Sequence, residues 1–140
     1  MASIRKEIEV DVAPAKAWDA IRDVGAAHTR LFPGALTDCR LEDGVRTVTF
    51  GNGLIVREPI VSVDDEQMRF AWAAVGGRAT HYNASLQVFA NAGGTSRVVW
   101  IVDVLPNEIA AAVEENMNGG LAVMKKTLER DAPGASEAVT

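Results

Sequence analysis

Arg46, Glu58 and Tyr82 are the side chains in this 140-residue chain whose types and spacing suit carbonyl chemistry. A guanidinium binds a carbonyl, enolate or carboxylate oxygen through charge-assisted hydrogen bonds. A carboxylate beside it orients the guanidinium or a water, or moves a proton. A phenol is apolar along its ring and polar at its tip, so it usually finds a hydrogen-bond partner when buried. The spacing of the first two residues is that of a hairpin. If the loop Gly51-Asn52-Gly53 closes Phe50 against Leu54, then Val48 faces Val56 and Arg46 faces Glu58. Side chains alternate along a strand, so Arg46, Val48, Phe50, Leu54, Val56 and Glu58 share one face. Thr47, Thr49, Ile55 and Arg57 share the other, which suits solvent better. The apolar face is therefore the inner one, and it carries an Arg–Glu pair.

An inward ion pair is costly to desolvate, and apolar replacements often stabilise a protein. Two readings stay open. One is a partly wet cross-strand salt bridge at a cavity rim, nearly neutral in energy. The other is a polar anchor for a ligand oxygen, with Glu58 orienting Arg46 or a water. A register slip of one residue would abolish the second reading, because every side chain changes face. The same parity puts Met68, Phe70, Trp72 and Ala74 on one face. It puts Tyr82, Ala84, Leu86 and Val88 on another, with His81 and Asn83 opposite, and makes Val98, Trp100 and Val102 the last inner set. Trp72, Tyr82 and Trp100 then line the interior, with the Tyr82 hydroxyl near Glu58 or Arg46. The alternative for each aromatic is plain core filling.

The elements that must position these groups follow in a telling order. Ile4, Ile8, Val10 and Val12 mark a strand ending at Ala13-Pro14. Pro14 suits the first turn of a helix, and Ala17, Trp18, Ile21 and Val24 recur at helical spacing until Gly25. A second short helix spans about Ala26–Phe32, ended by Pro33-Gly34. Strand-like segments follow at about 35–42, 45–50, 54–63, 67–75, 80–90 and 96–104, separated by turn residues. Such short connections predict an antiparallel meander.

After Leu105-Pro106 the period changes to that of a helix reaching Arg130. Ile109, Val113, Met117, Leu121, Met124 and Leu128 fall on one stripe, with Ala112 and Gly120 beside them. Glu114, Glu115, Lys125, Lys126 and Glu129 take the opposite side. Gly119-Gly120 sits mid-helix, where each glycine costs about 1 kcal/mol against alanine. Either the helix packs closely on the sheet there, or room is left for a ligand beneath it. A curved antiparallel sheet closed by one long helix, with two short helices after the first strand, is an α+β shape that encloses a cavity. The expected domain is 1–130, and Asp131–Thr140 is expected to fray.

Bulk properties narrow the function. A net charge of -5 argues against nucleic acid or an anionic membrane as main partner. One cysteine, Cys39, allows no intrachain disulfide and no Cys-based zinc site, and a lone thiol fits a reducing cytosol. The N-terminus lacks an apolar signal region, and no apolar run approaches the ~20 residues that span a bilayer. His28 and His81 have no metal-site spacing. No phosphate loop or nucleophile elbow is present. No cofactor or metal is implied, and Cys39 reads as an idle thiol.

The stretch Ala13-Pro14-Ala15-Lys16-Ala17-Trp18-Asp19-Ala20-Ile21-Arg22-Asp23 resembles the opening of bacterial polyketide cyclase/dehydrase-like proteins of the START-like, helix-grip superfamily (SRPBCC). The resemblance continues through Val45-Arg46-Thr47, Val56-Arg57-Glu58, Asp64-Asp65, His81-Tyr82-Asn83-Ala84, Gly94-Thr95-Ser96 and Val99-Trp100. It covers about Ile4–Glu129. It implies a seven-stranded sheet gripping the C-terminal helix over a ligand cavity. Plant hormone receptors of similar fold place a glutamate and a tyrosine in the pocket at positions that resemble Glu58 and Tyr82. The sequence departs at Pro59, where similar proteins commonly have leucine; a proline there removes a backbone donor and suggests an edge or a bulge.

The leading expectation is a binder of a small hydrophobic molecule, polyketide-, aromatic- or lipid-like, with one oxygen aimed at Arg46, Glu58 and Tyr82. The pocket wall is expected from these three with Phe50, Val56, Trp72, Trp100, Val113, Met117 and Gly120. The alternatives are a cyclase or dehydratase acting on a carbonyl compound in the same cavity, and a protein-interaction module whose cavity is filled. Catalysis needs Glu58 as a usable base, and a close Arg46 works against that by favouring the carboxylate.

Overall fold

The computed structural model describes residues 2–130. The first strand, β1 (Ala2–Val10), sets the inner face of the sheet by alternation. Ala2, Ile4, Lys6, Ile8 and Val10 are shielded, whereas Ser3, Arg5, Glu7 and Glu9 are exposed. Pro14 opens α1 (Pro14–Arg22), where its missing N–H leaves no bond unmade. This helix buries Ala17, Trp18, Ala20 and Ile21. It ends earlier than Gly25 predicts, because Asp23 leaves the helical region (φ −81°, ψ 69°). Ala26 N then donates to Asp23 O at 2.9 Å, so Val24–Ala26 forms a tighter 3₁₀ turn leading into α2 (Ala27–Arg30).

Six more strands follow: β2 (Leu36–Glu42), β3 (Val45–Phe50), β4 (Ile55–Asp64), β5 (Arg69–Ala73), β6 (His81–Ala90) and β7 (Ser96–Leu105). All pairings are antiparallel, and the sheet order is β1-β7-β6-β5-β4-β3-β2. The predicted meander runs from β2 to β7, and β1 adds beside β7. Strand β5 is shorter than the predicted 67–75. Met68 adopts φ 50° and belongs to the turn, from which it still packs on the core. Strand β4 changes partner halfway: 55–59 pair with β3, and 60–64 pair with β5. Pro59 sits at that change, and the register shifts between Ile60 and Ser62, leaving Val61 as a bulge. The missing donor of Pro59 therefore falls where the ladder is already interrupted.

A 3₁₀ turn at Asn107–Ile109 leads into α3 (Ala110–Arg130), which lies on the inner face. It buries Met117, Leu121, Met124 and Leu128, with Thr127 beside them. The polar side of α3 is less free than its charges suggest. Lys6 Nζ meets Glu114 Oε2 at 2.7 Å. Lys125 Nζ donates to Glu9 O at 2.7 Å, and Glu129 Oε2 accepts from Asp11 N at 2.8 Å. These contacts tie α3 to β1, with Glu129 reaching the turn that follows it. The core fills the space between sheet, α1 and α3, with Ile21, Phe70, Leu86, Val102 and Met124 among its fully buried members. Asp131–Thr140, expected to fray, lies outside the described residues.

Candidate functional site

The β3–β4 hairpin has the register that the pattern demands. Phe50 N donates to Leu54 O at 2.8 Å, Val48 pairs with Val56, and Arg46 pairs with Glu58. Both charged side chains are buried, Arg46 at 4% exposure and Glu58 at 8%. Arg46 Nε donates to Glu58 Oε1 at 2.8 Å, and Arg46 Nη1 donates to Val24 O at 3.3 Å. The guanidinium carbon lies 4.9 Å from the Phe70 ring centre and 5.2 Å from that of Trp72. Ring faces attract a cation more strongly once water is excluded, which offsets part of the desolvation cost. The arrangement is a cross-strand salt bridge, buried rather than partly wet.

The ring faces continue as an aromatic wall. Phe70 stacks on Trp72 (4.8 Å, 21°), Trp72 lies 6.3 Å from Trp100, and Trp100 lies 5.8 Å from Phe32. The indole N–H groups of Trp72 and Trp100 are buried without a hydrogen-bond partner. That of Trp72 still favours the charged form of Glu58, although the geometry falls short of a formed bond. Burial raises the Glu58 carboxyl above its ordinary value, outweighing Arg46, which pulls it down.

Burial and the nearby Glu58 both push the Tyr82 phenol upward, so it stays protonated at neutral pH. Its hydroxyl makes no hydrogen bond to Glu58, Arg46 or any other described residue. The expected closeness to Glu58 is real electrostatically but is not a bond.

Two adjoining cavities open between the sheet and α3. The first has a volume of about 450 Å³ and the second about 470 Å³. Arg46, Phe50, Glu58, Trp72, Tyr82, Trp100 and Gly120 all border the first. Val56 and Val113 border the second. Phe50, Glu58, Tyr82 and Asn116 border both. Met117 is the exception among the expected wall residues. It is fully buried in the packed core, because its stripe on α3 turns toward the sheet rather than toward the void.

The two glycines divide the two explanations between them. A Cβ on Gly119 would meet nothing within 4 Å, and Gly119 borders the first cavity. A Cβ on Gly120 would lie 3.0 Å from the Trp100 ring and 3.4 Å from Phe32. Gly119 leaves room, and Gly120 permits close approach. Asn116, Val123 and the 32–36 segment border the first cavity without having been expected there, and Gly119 was expected only as possible room beneath the helix. For α3 the signal was present: 113, 116, 120 and 123 form a second helical stripe of short side chains beside the stripe of large ones.

The family model described as polyketide cyclase / dehydrase and lipid transport matches residues 1–129. The chain belongs to that family. Its fold recurs widely among solved structures. An uncharacterized protein from Bacillus thuringiensis is similar, with TM-score 0.82 and 18% identity, over 91% of this chain and 98% of that one. The di-domain ARO/CYC BexL of the BE-7585A biosynthetic pathway is similar, with TM-score 0.80 and 17% identity, over 92% of this chain and 47% of that one. Truncated norcoclaurine synthase from Thalictrum flavum is similar, with TM-score 0.71 and 20% identity, over 92% of this chain and 91% of that one. No curated protein matches the sequence. At such identities these likenesses establish the helix-grip fold of the family and carry no chemistry. No helix of the described residues is long and apolar enough to cross a membrane.

Proposed function

We propose that this protein binds a small hydrophobic molecule, ring-containing or lipid-like, in the cavities between the sheet and α3. The observation that carries this reading is the composition of the cavity walls. Apolar side chains surround a buried Arg46–Glu58 pair and a Tyr82 hydroxyl without a protein partner. A mostly apolar pocket with a few convergent polar groups suits an apolar ligand with few oxygens. Arg46 has its Nε on Glu58 and Nη1 on Val24, so its Nη2, the hydroxyl of Tyr82 and the carboxyl of Glu58 are the groups left to meet a ligand oxygen.

Native mass spectrometry of freshly purified protein, followed by denaturing extraction, tests the reading. The expected result is a defined extra mass that is lost or weakened in Tyr82→Phe. A protein that comes through without added mass, and that takes up none of a panel of apolar aromatics and lipids, overturns it.

The second reading is a cyclase or dehydratase acting on a carbonyl compound in the same cavity. The raised Glu58 carboxyl favours it, since a group poised nearer neutrality moves protons better. Glu58 would take the proton from the carbon beside the carbonyl, and Tyr82 would donate a hydrogen bond to the enolate oxygen. Glu58→Gln separates the two. Loss of turnover with binding retained supports catalysis, and loss of binding with no turnover in the parent protein supports a carrier.

A further inference from the structure

We propose that the ligand is an elongated apolar acid that fills both chambers and places its carboxylate at Arg78. This rests on the reading that the cavities bind a hydrophobic molecule, and it names the class of that molecule.

The two chambers share Phe50, Glu58, Tyr82 and Asn116, so they adjoin along one wall. A ligand confined to the first would leave the second to water against the apolar side chains of Val56, Ile109 and Val113. Covering that surface with a longer body is favourable at about 25 cal/mol per Å².

The charges on the wall decide which end carries the polar group. In the first chamber the charged side chains are Arg46 and Glu58, and they are bound to each other. A ligand carboxylate placed there would meet Glu58 and a guanidinium already engaged twice. In the second chamber the charged side chains are Glu58 and Arg78. Arg78 has no hydrogen bond or ion pair among the described residues. It is the cation left for an anion on this cavity wall.

Arg78 follows a two-glycine turn at the edge of the second chamber. Gly76 and Gly77 take φ of +96° and +70°, a turn that side-chain-bearing residues adopt only under strain. Beyond Arg78, Ala79 packs on the core and Thr80 N donates to Leu105 O at 2.9 Å. Arg78 is thus an exposed cation on a wall that is tied to the fold on its C-terminal side. A carboxylate meeting it there keeps part of its hydration, while the apolar body enters the cavity. Long charged side chains favour this division between wet head and buried stem.

Fluorescence titration with cis-parinaric acid and with its methyl ester tests the proposal on the full chain. Wild type is expected to bind the acid more tightly than the ester. Arg78→Gln is expected to weaken the acid by about two- to fivefold, as for an exposed ion pair, and to leave the ester unchanged. The difference between acid and ester should shrink as salt rises. Arg57→Gln is the control, because it removes the same charge from an exposed arginine that borders neither cavity. Equal binding of acid and ester, or an equal loss in Arg57→Gln, overturns the Arg78 anchor while the hydrophobic-binding reading stands. Failure of both probes to bind overturns the anchor and that reading together.

Discussion

At the scale of single residues, the Arg46–Glu58 pair is where stability and site coincide. Two buried charges hold each other, so removing one leaves the other stranded. Arg46→Met is expected to destabilise the protein by about 3–5 kcal/mol. The double variant Arg46→Met/Glu58→Leu should recover most of that loss, since an apolar pair of similar volume needs no desolvation. Denaturant unfolding of both variants checks this, and a double variant as unstable as the single one would refute it. The raised Glu58 carboxyl adds a pH signature. A carboxyl whose folded pKa exceeds its unfolded value gives stability at low pH that is lost as pH rises. The window opens at the ordinary value of 4.5 and extends upward to the raised folded value. Glu58→Gln should flatten that part of the stability–pH curve. Arg22, Asp65 and the other surface ion pairs lie outside this argument, being solvated.

At the scale of elements, α3 carries two adjacent stripes with opposite tasks. Met117, Leu121, Met124 and Leu128 fill the core. Val113, Asn116, Gly120 and Val123 line the voids. The glycine pair belongs to this second side, and its members should respond differently to the same change. Gly119→Ala adds a methyl in open space and regains helix propensity, so it should stabilise by about 1 kcal/mol. Gly120→Ala drives a methyl to 3.0 Å from the buried Trp100 ring. The strain of overpacking, about 1–3 kcal/mol, then exceeds the propensity gain. Thermal unfolding of the two variants should therefore shift in opposite directions. The hairpin is the complementary element: its Gly51-Asn52-Gly53 loop sets the register that pairs Arg46 with Glu58.

At the scale of the whole molecule, the sheet has to close on a helix that follows it in the chain. The clamp between Glu129, Lys125 and the residues after β1 ties the last element to the first. The backbone N–H of Asp11 and then Lys125 hold the Glu129 carboxyl below its ordinary value. A lowered carboxyl contributes stability above its unfolded pKa and loses it as pH falls through the folded one. Glu129→Gln should therefore cost about 0.5–1 kcal/mol at neutral pH, the worth of one partly exposed hydrogen bond. Below pH 4.5 the difference from the parent protein should fade. A gap that persists unchanged in acid would mean that the clamp acts through packing and not through charge.

Local chemistry alone determined much of this protein. Turn residues and alternation placed all seven strands, and the change of period after Pro106 placed the long helix. Arg46 falls opposite Glu58 because strand parity is a local rule that a short loop makes binding. Tertiary structure decided what local rules do not reach. The pairing of β1 with β7 joins chain segments roughly 90 residues apart, and nothing in either strand names its neighbour. The partner change in β4 at Pro59 depends on how far the sheet bends. Met117 and Val113 look alike in the helical period, yet one is core and the other cavity wall, because the rotation of α3 over the sheet separates them. The direction of the Glu58 shift was likewise beyond the sequence. It is set by how much water the finished fold removes from around the carboxyl.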